Sequence, residues 1–299
     1  MNHQFSAAAS PILTITANPL LDHLATAAVV PGRVTRVASF TRIAGGKGLN
    51  VARVLARLGH PVTACGFLGG ASGTAVAALV RAEGIVPAFT ATAAPTRVGF
   101  QAVSPDGGST ALLENGGPIT AAEQDALIAE VAARVAAHAL VIIGGAPPPG
   151  CDELYARLLT TCRSAQVPCW IDAHGPAMVK ALALGPDVVK PNRDEYGDGT
   201  HWQSAAELHL TDGGGGTRVR CPAGAWRVMP PRIVEVNPIG SGDSYLAALA
   251  HARLTGLGMA DQLRWAAAAG AANAARPDVA MIGAAEIAAL LDAVEVEAD

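Results

Sequence analysis

Aromatic residues make up only 4% of the 299-residue chain and charged residues 15%, against 51% apolar. No run of five or more Lys or Arg occurs and the formal net charge is −4, so the basic footprint that nucleic-acid binding requires is missing. No stretch reaches the roughly 18 uninterrupted apolar residues of a membrane span. The opening MNHQFSAAAS lacks the basic n-region of a secretory leader. The five cysteines (Cys65, Cys151, Cys162, Cys169, Cys221) are an odd set without a C-x-x-C pair, in a chain far larger than disulfide-dependent scaffolds. They read as reduced, mostly buried thiols in a cytoplasmic protein. The histidines, His23, His138 and His174 among them, show no H-x-x-x-H spacing, so zinc is not implied.

What is present is a strong alternation of short β-rich runs with longer helical patterns. Residues 12–16 (ILTIT), 62–66 (VTACG), 139–144 (ALVIIG), 168–172 (PCWID) and 187–190 (DVVK) are near-continuously apolar, as strands covered on both faces are. Between them, LNVARVLARLG repeats apolar residues at helical spacing and stops at Gly59. TAAEQDALIAEVAARVAAHA (120–139) carries Thr120 as N-cap and Glu123 three residues later, a capping box. Residues from Ser241 to about Leu291 read as largely helical. The class is α/β with a mostly parallel sheet. Residues 17–44 and 88–116, richer in Thr, Val, Arg, Pro and Gly, alternate like strands exposed on one face, and are expected to pair as a small antiparallel lid. The expected organisation is one domain over 12–299 with this discontinuous lid, behind a short mobile segment over 1–11.

Three glycine clusters stand out: AGGKGLN (44–50), TDGGGGT (211–217) and NPIGSGDS (237–244). None is a P-loop: Thr41 occupies the first glycine position and Gly48 follows Lys47. None is a dinucleotide fingerprint either, because Tyr245 stands where the third glycine is needed after Gly240 and Gly242. Any one of these clusters alone reads as a turn. The first and last, however, each immediately precede an amphipathic helix, where main-chain N–H groups and the helix dipole favour an anion.

AGGKGLNVARVLARLG and NPIGSGDSYLAALA together resemble the two signatures of the ribokinase-like, phosphofructokinase B family of sugar kinases. NPLLD (18–22), TRVGF (96–100), KPNRDE (190–195) and TDGGGG resemble further elements of that family, in family order. The resemblance implies a ribokinase-like three-layer α/β/α fold with a β lid. It implies ATP-dependent phosphorylation of a phosphorylated ketohexose, as in 1-phosphofructokinases and tagatose-6-phosphate kinases. It also implies Mg2+, and it leaves open a monovalent cation.

Asp243 is then the expected catalytic base, ionised at neutral pH from a reference pKa of about 3.9. The N–H groups of Gly240, Ser241 and Gly242 are the expected anion hole for charge developing on the phosphoryl group. Asn192 and Glu195 resemble the family's magnesium and phosphate-positioning pair, with Glu195 reaching the metal through water. Asp22, Gly45, Gly46 and Asn50 are expected at the sugar. Lys47 and Arg97 suit a phosphate already on the substrate, the second as a planar fork. Thr211, Gly213 and Gly216 are expected on the nucleotide side, and Asn273 facing the adenine. Two departures from the family pattern are visible: only eleven residues separate Glu195 from the strand near Glu207, and Gly145-Ala146 stands where Ser-Leu is common. A kinase for an unphosphorylated sugar or nucleoside, and a sugar-phosphate-binding regulator without catalysis, are the alternative readings. Exposed lid strands invite subunit pairing, so a homodimer is expected.

Overall fold

The computed structural model describes residues 9–105 and 108–299. The chain opens with β1 (Ile12–Thr16), enters the lid with β2 (Leu20–Thr26) and β3 (Thr41–Gly45), and returns through α1 (Lys47–Arg57), β4 (Val62–Leu68), α2 (Gly70–Ala82) and β5 (Val86–Ala91). A second visit to the lid supplies β6 (Arg97–Val103) and β7 (Ser109–Leu113). The main sheet resumes through α3 (Ala121–Arg134), β8 (Leu140–Gly144), α4 (Leu154–Ser164), β9 (Cys169–Asp172), α5 (Pro176–Leu182), β10 (Val188–Val189), α6 (Arg193–Tyr196) and β11 (Glu207–Thr211). After β12 (Thr217–Cys221) and β13 (Gly224–Met229) come α7 (Ser241–Leu254), α8 (Met259–Ala274), α9 (Ala284–Ala288) and finally β14 (Glu295–Ala298).

Ten strands form the main sheet in the order β14-β13-β12-β11-β10-β9-β8-β1-β4-β5. Pairing is parallel from β5 to β11 and antiparallel from β11 to β14. Because side chains alternate along a strand, β1 feeds two cores. Ile12 joins the layer of α1, α2, α7, α8 and α9, while Leu13 and Ile15 join that of α3, α4 and α5. The result is three layers, α/β/α. The helix α7 is buried almost all round, from Asp243 to Ala250, and its alanines let α8 pack closely against it.

The five strands and two helices expected from the sequence are present. The capping box is formed: Glu123 N–H donates to Thr120 Oγ1 at 3.2 Å and Thr120 N–H to Glu123 Oε2 at 2.7 Å. The lid needs two corrections. Its four strands run β3-β2-β6-β7, and β2 pairs β6 in parallel, so the sheet is mixed rather than antiparallel. The segment joining those strands is a complete βα crossover unit, and such a connection delivers parallel neighbours. Residues 88–91 belong instead to β5, the edge of the main sheet. Most of the expected mobile segment lies outside the described residues. Its last two residues are fastened, with Pro11 O accepting from Ala139 N–H at 2.9 Å and Ser10 O held against His60 Nδ1 at 3.1 Å.

The shortened stretch after Glu195 is sealed locally. A 3-10 turn over Thr200–Ser204 tucks in Trp202, whose indole N–H donates to Tyr196 O at 3.1 Å while its ring stacks on Tyr196 at 6.2 Å.

Candidate active site

A cleft of about 1140 Å³ runs along the carboxyl ends of the parallel strands, beneath the lid. Thr16, Gly144, Asp172, Lys190 and Thr211, each at or just beyond a strand's end, line it. This is where open α/β sheets place their ligands.

Close backbone approach builds its centre. A Cβ at Gly48 would lie 2.4 Å from Thr16 Oγ1 and 2.6 Å from Ile15 O, so only glycine lets α1 begin directly on β1. Gly46, at φ 124°, turns the chain into that helix. Gly45 and Gly46 thus serve the seating of α1 as well as lining the cleft. Lys47 follows as the first residue of α1, and its Nζ lies 3.0 Å from Asp172 Oδ1 and 2.8 Å from Glu195 Oε1. Burial disfavours the ammonium, but Asp172, Asp243 and Glu195 outweigh it and raise the Lys47 pKa.

Asp243 sits in the first turn of α7, preceded by Gly240 at φ 84°. Its carboxylate is 5% exposed, and Oδ2 accepts from Asn50 Nδ2 at 2.8 Å. Burial and then the charge of Asp172 push its pKa up to about 6, against the pull of Lys47, Asn50 and Lys190. The acid group is therefore poised near neutrality, as suits a proton acceptor. Of the three amides expected in the anion hole, that of Ser241 is already committed to Pro238 O at 3.1 Å. Those of Gly240 and Gly242 stay at the helix start, where amides lack intrahelical partners. A Cβ on Gly242 would come within 2.9 Å of Lys190 Nζ, so this buried ammonium abuts the turn.

Asn192 and Glu195 form a second capping box, on α6: Glu195 N–H donates to Asn192 Oδ1 at 2.8 Å and Asn192 N–H to Glu195 Oε2 at 3.0 Å. Although burial works the other way, hydrogen bonds from His174, Lys47 and Asn192 hold the Glu195 carboxyl well below the usual range.

Under the lid, Asp22 is 2% exposed and bonded to the Gln101 amide, with its pKa raised by burial. Asp22 Oδ1, Gln101 Oε1 and Thr16 Oγ1 are buried acceptors without a protein partner, and all three residues line the cleft. Such groups call for a polar ligand. Arg97 lines the same end, its guanidinium donating to Asn18 O at 2.9 and 3.2 Å and to Glu114 O at 3.1 Å.

At the other end, Thr211, Gly213 and Thr217 face the cleft together with Pro230, Ile233 and the small residues Ala267, Gly270 and Ala271 of α8. Two expected nucleotide residues are not brought there. Asn273 is fully buried and absent from the cleft wall; its amide donates to Ile239 O and Ser241 Oγ, and its carbonyl accepts from Ala280 N–H. It braces the turn before α7 instead of facing a base. Gly216, at φ 93°, backs onto Val228 O, which a Cβ would approach to 2.5 Å.

Sequence reasoning missed Asp172, Lys190, Gln101 and Tyr245. Asp172 is the hub, 1% exposed, with Lys190 Nζ 2.9 Å from Oδ2 and Lys47 on the other oxygen. Its signal was a lone carboxylate ending an apolar strand, at the edge where ligands bind.

Three layers around a mostly parallel sheet, a β lid and a cleft at the strands' carboxyl ends define a ribokinase-like α/β fold. The chain matches the pfkB family carbohydrate kinases over residues 16–281 and belongs to that family. Solved structures with the same fold include phosphofructokinase-2 from Escherichia coli in complex with potassium, at TM-score 0.84 and 23% identity, covering 95% of this chain and 98% of that one. A possible 1-phosphofructokinase from Thermotoga maritima superposes at TM-score 0.88 and 20% identity over 97% and 99% of the two chains. Ribokinase from Arabidopsis thaliana, complexed with ribose and ATP, does so at 0.72 and 20% over 95% and 99%.

Proposed function

We infer that this carbohydrate kinase transfers the γ-phosphoryl group of ATP to a hydroxyl of a phosphorylated ketohexose, in the manner of a 1-phosphofructokinase or tagatose-6-phosphate kinase. The observation that carries the reading is the position of Asp243, in one cleft between the unpartnered acceptors of Asp22 and Gln101 and the Thr211–Gly213 turn. The acceptor hydroxyl loses its proton to Asp243 as its oxygen bonds to the γ-phosphorus, and the bond to the departing ADP oxygen breaks. The amides at Gly240 and Gly242, with Lys190 behind them, stabilise the charge spread over the migrating group. Asp22, Gln101 and Asn50 orient the sugar, and Lys47 and Arg97 take the substrate's own phosphate. The α8 face of Ala267, Gly270 and Ala271 leaves room for a flat base.

Among the described residues no group of three or more His, Cys, Asp or Glu could hold a resident metal. Glu195, Asn192 and Asp172 are hard oxygen donors, which suits a hydrated Mg2+ carried in by the nucleotide phosphates. Bound there, the ion neutralises phosphate charge. A monovalent cation belongs to the same proposal. The lid's outer face, with Phe40 and Phe100 each 46% exposed and Leu112 71%, favours a homodimer formed by a second copy. A cytoplasmic setting accords with five free cysteines.

A kinase for an unphosphorylated sugar is the second reading, favoured by the bonds that tie Lys47 to two carboxylates and Arg97 to main-chain carbonyls. Coupled detection of ADP over a panel of sugars and sugar phosphates decides between them. Turnover confined to phosphorylated ketohexoses is expected; turnover confined to free sugars overturns the first reading.

A further inference from the structure

From Tyr245 on the cleft wall a buried polar chain runs inward, and no step of the phosphoryl transfer above uses it. His209 on β11 is fully buried, and its Nε2 donates to Glu207 Oε1 at 2.5 Å. Burial holds the imidazole pKa below its ordinary value, which leaves Nδ1 as an acceptor for the Tyr245 hydroxyl at 2.8 Å. Thr217 on β12 neighbours that hydroxyl at the cleft wall. At the far end Arg253 donates to the same Glu207 oxygen at 2.7 Å and through Nε to Gln262 of α8 at 2.9 Å. Its guanidinium also lies 4.9 Å from the centre of the Trp170 ring.

The direction of these bonds is therefore fixed, from Tyr245 through His209 to Glu207, with Arg253 closing the other side. Tyr245 and Arg253 are both on α7, one two residues after Asp243 and the other in the last turn. His209 and Glu207 are both on β11, two and four residues before Thr211 and on the same face of the strand. The chain thus pins α7 at two points to the strand that carries the nucleotide turn. An apolar pair would fill this space without a directional constraint.

We propose that His209 and Tyr245 are positioning residues that hold Asp243 in register with the Thr211–Gly213 turn, so that base and nucleotide meet in line. This rests on the reading of Asp243 as the base. A misplacement of under an ångström costs on the order of tenfold or more in rate. Tyr245→Phe removes only the hydroxyl; it is expected to lower kcat about tenfold while leaving the KM of sugar and of ATP within about twofold. His209→Gln is expected to do the same. The double variant is expected to be no slower than the slower single one, because both break one chain.

A Tyr245→Phe enzyme with kcat within twofold of the parent overturns the proposal, as do additive losses in the double variant. So does a rise in the KM of ATP equal to the fall in kcat, which would make the hydroxyl a nucleotide contact. If His209→Gln melts early, Tyr245→Phe alone carries the kcat-against-KM test. Asp243→Asn separates the two ideas. If it stays active the base assignment falls; if it is inactive while Tyr245→Phe is normal, only the positioning role falls.

Discussion

Replacing Asp243 by Asn should make the protein more stable at neutral pH while removing its activity. The parent carboxyl goes from an ordinary value of 3.8 when unfolded to about 6 when folded. A group whose folded pKa is raised favours folding most below the unfolded value, and that advantage is lost as pH climbs through the folded one. Ionised Asp243 therefore costs about 3 kcal/mol of stability at pH 7.5, from 1.36 kcal/mol per pKa unit. Asparagine keeps the shape, can still accept from Asn50 and does not ionise. In urea titrations the stability gain of Asp243→Asn over the parent should grow by about 1.5 kcal/mol from pH 5 to pH 7.5. Over the same range kcat/KM of the parent should rise through a limb near pH 6 and level off, as the proposed base ionises in the free enzyme. The variant should lose on the order of 10²- to 10⁴-fold in kcat. A gain that does not change with pH, or a variant keeping more than a tenth of the rate, would refute the reasoning.

Lys47→Ala should raise the KM for a sugar phosphate roughly ten- to a hundredfold, the worth of one charged hydrogen bond, in steady-state assays. An unchanged KM would instead back an unphosphorylated substrate. Gly48→Ala, forced against Thr16 Oγ1 and Ile15 O, should cost roughly 2–3 kcal/mol in chemical denaturation, and an unaffected midpoint would disprove the close approach. Light scattering at micromolar concentration should give twice the 30.1 kDa of the chain, and Phe100→Asp should halve it; a monomeric parent rules out the lid-to-lid dimer.

The main sheet was legible because its strands are buried on both faces and so carry near-continuous apolar runs; β1, β4, β8 and β9 start within a residue of where the sequence places them. The Thr120–Glu123 cap was legible because both its partners are local. Lid pairing was not, since which strands meet is decided by the crossover between them and not by their composition. Of the site, the glycine-flanked positions could be read: Lys47, Asn50 and Asp243 share the cleft. Asp172 offered only its place at the end of an apolar strand, because its pairing exists only once Lys47, 125 positions away, reaches it. Asn273 misled for the opposite reason. Its polar side chain on a late helix suggested a ligand, and three internal hydrogen bonds satisfy it completely.

The parallel pairing of β2 with β6 reaches across the whole α1–β5 unit. Closing so long a loop costs chain entropy that only the intervening structure can offset. Two separate visits of the chain build the cover over the cleft, so no single excision removes it. Its two halves meet only across the α1–β5 unit, so a defect seated there would disturb the register of the roof.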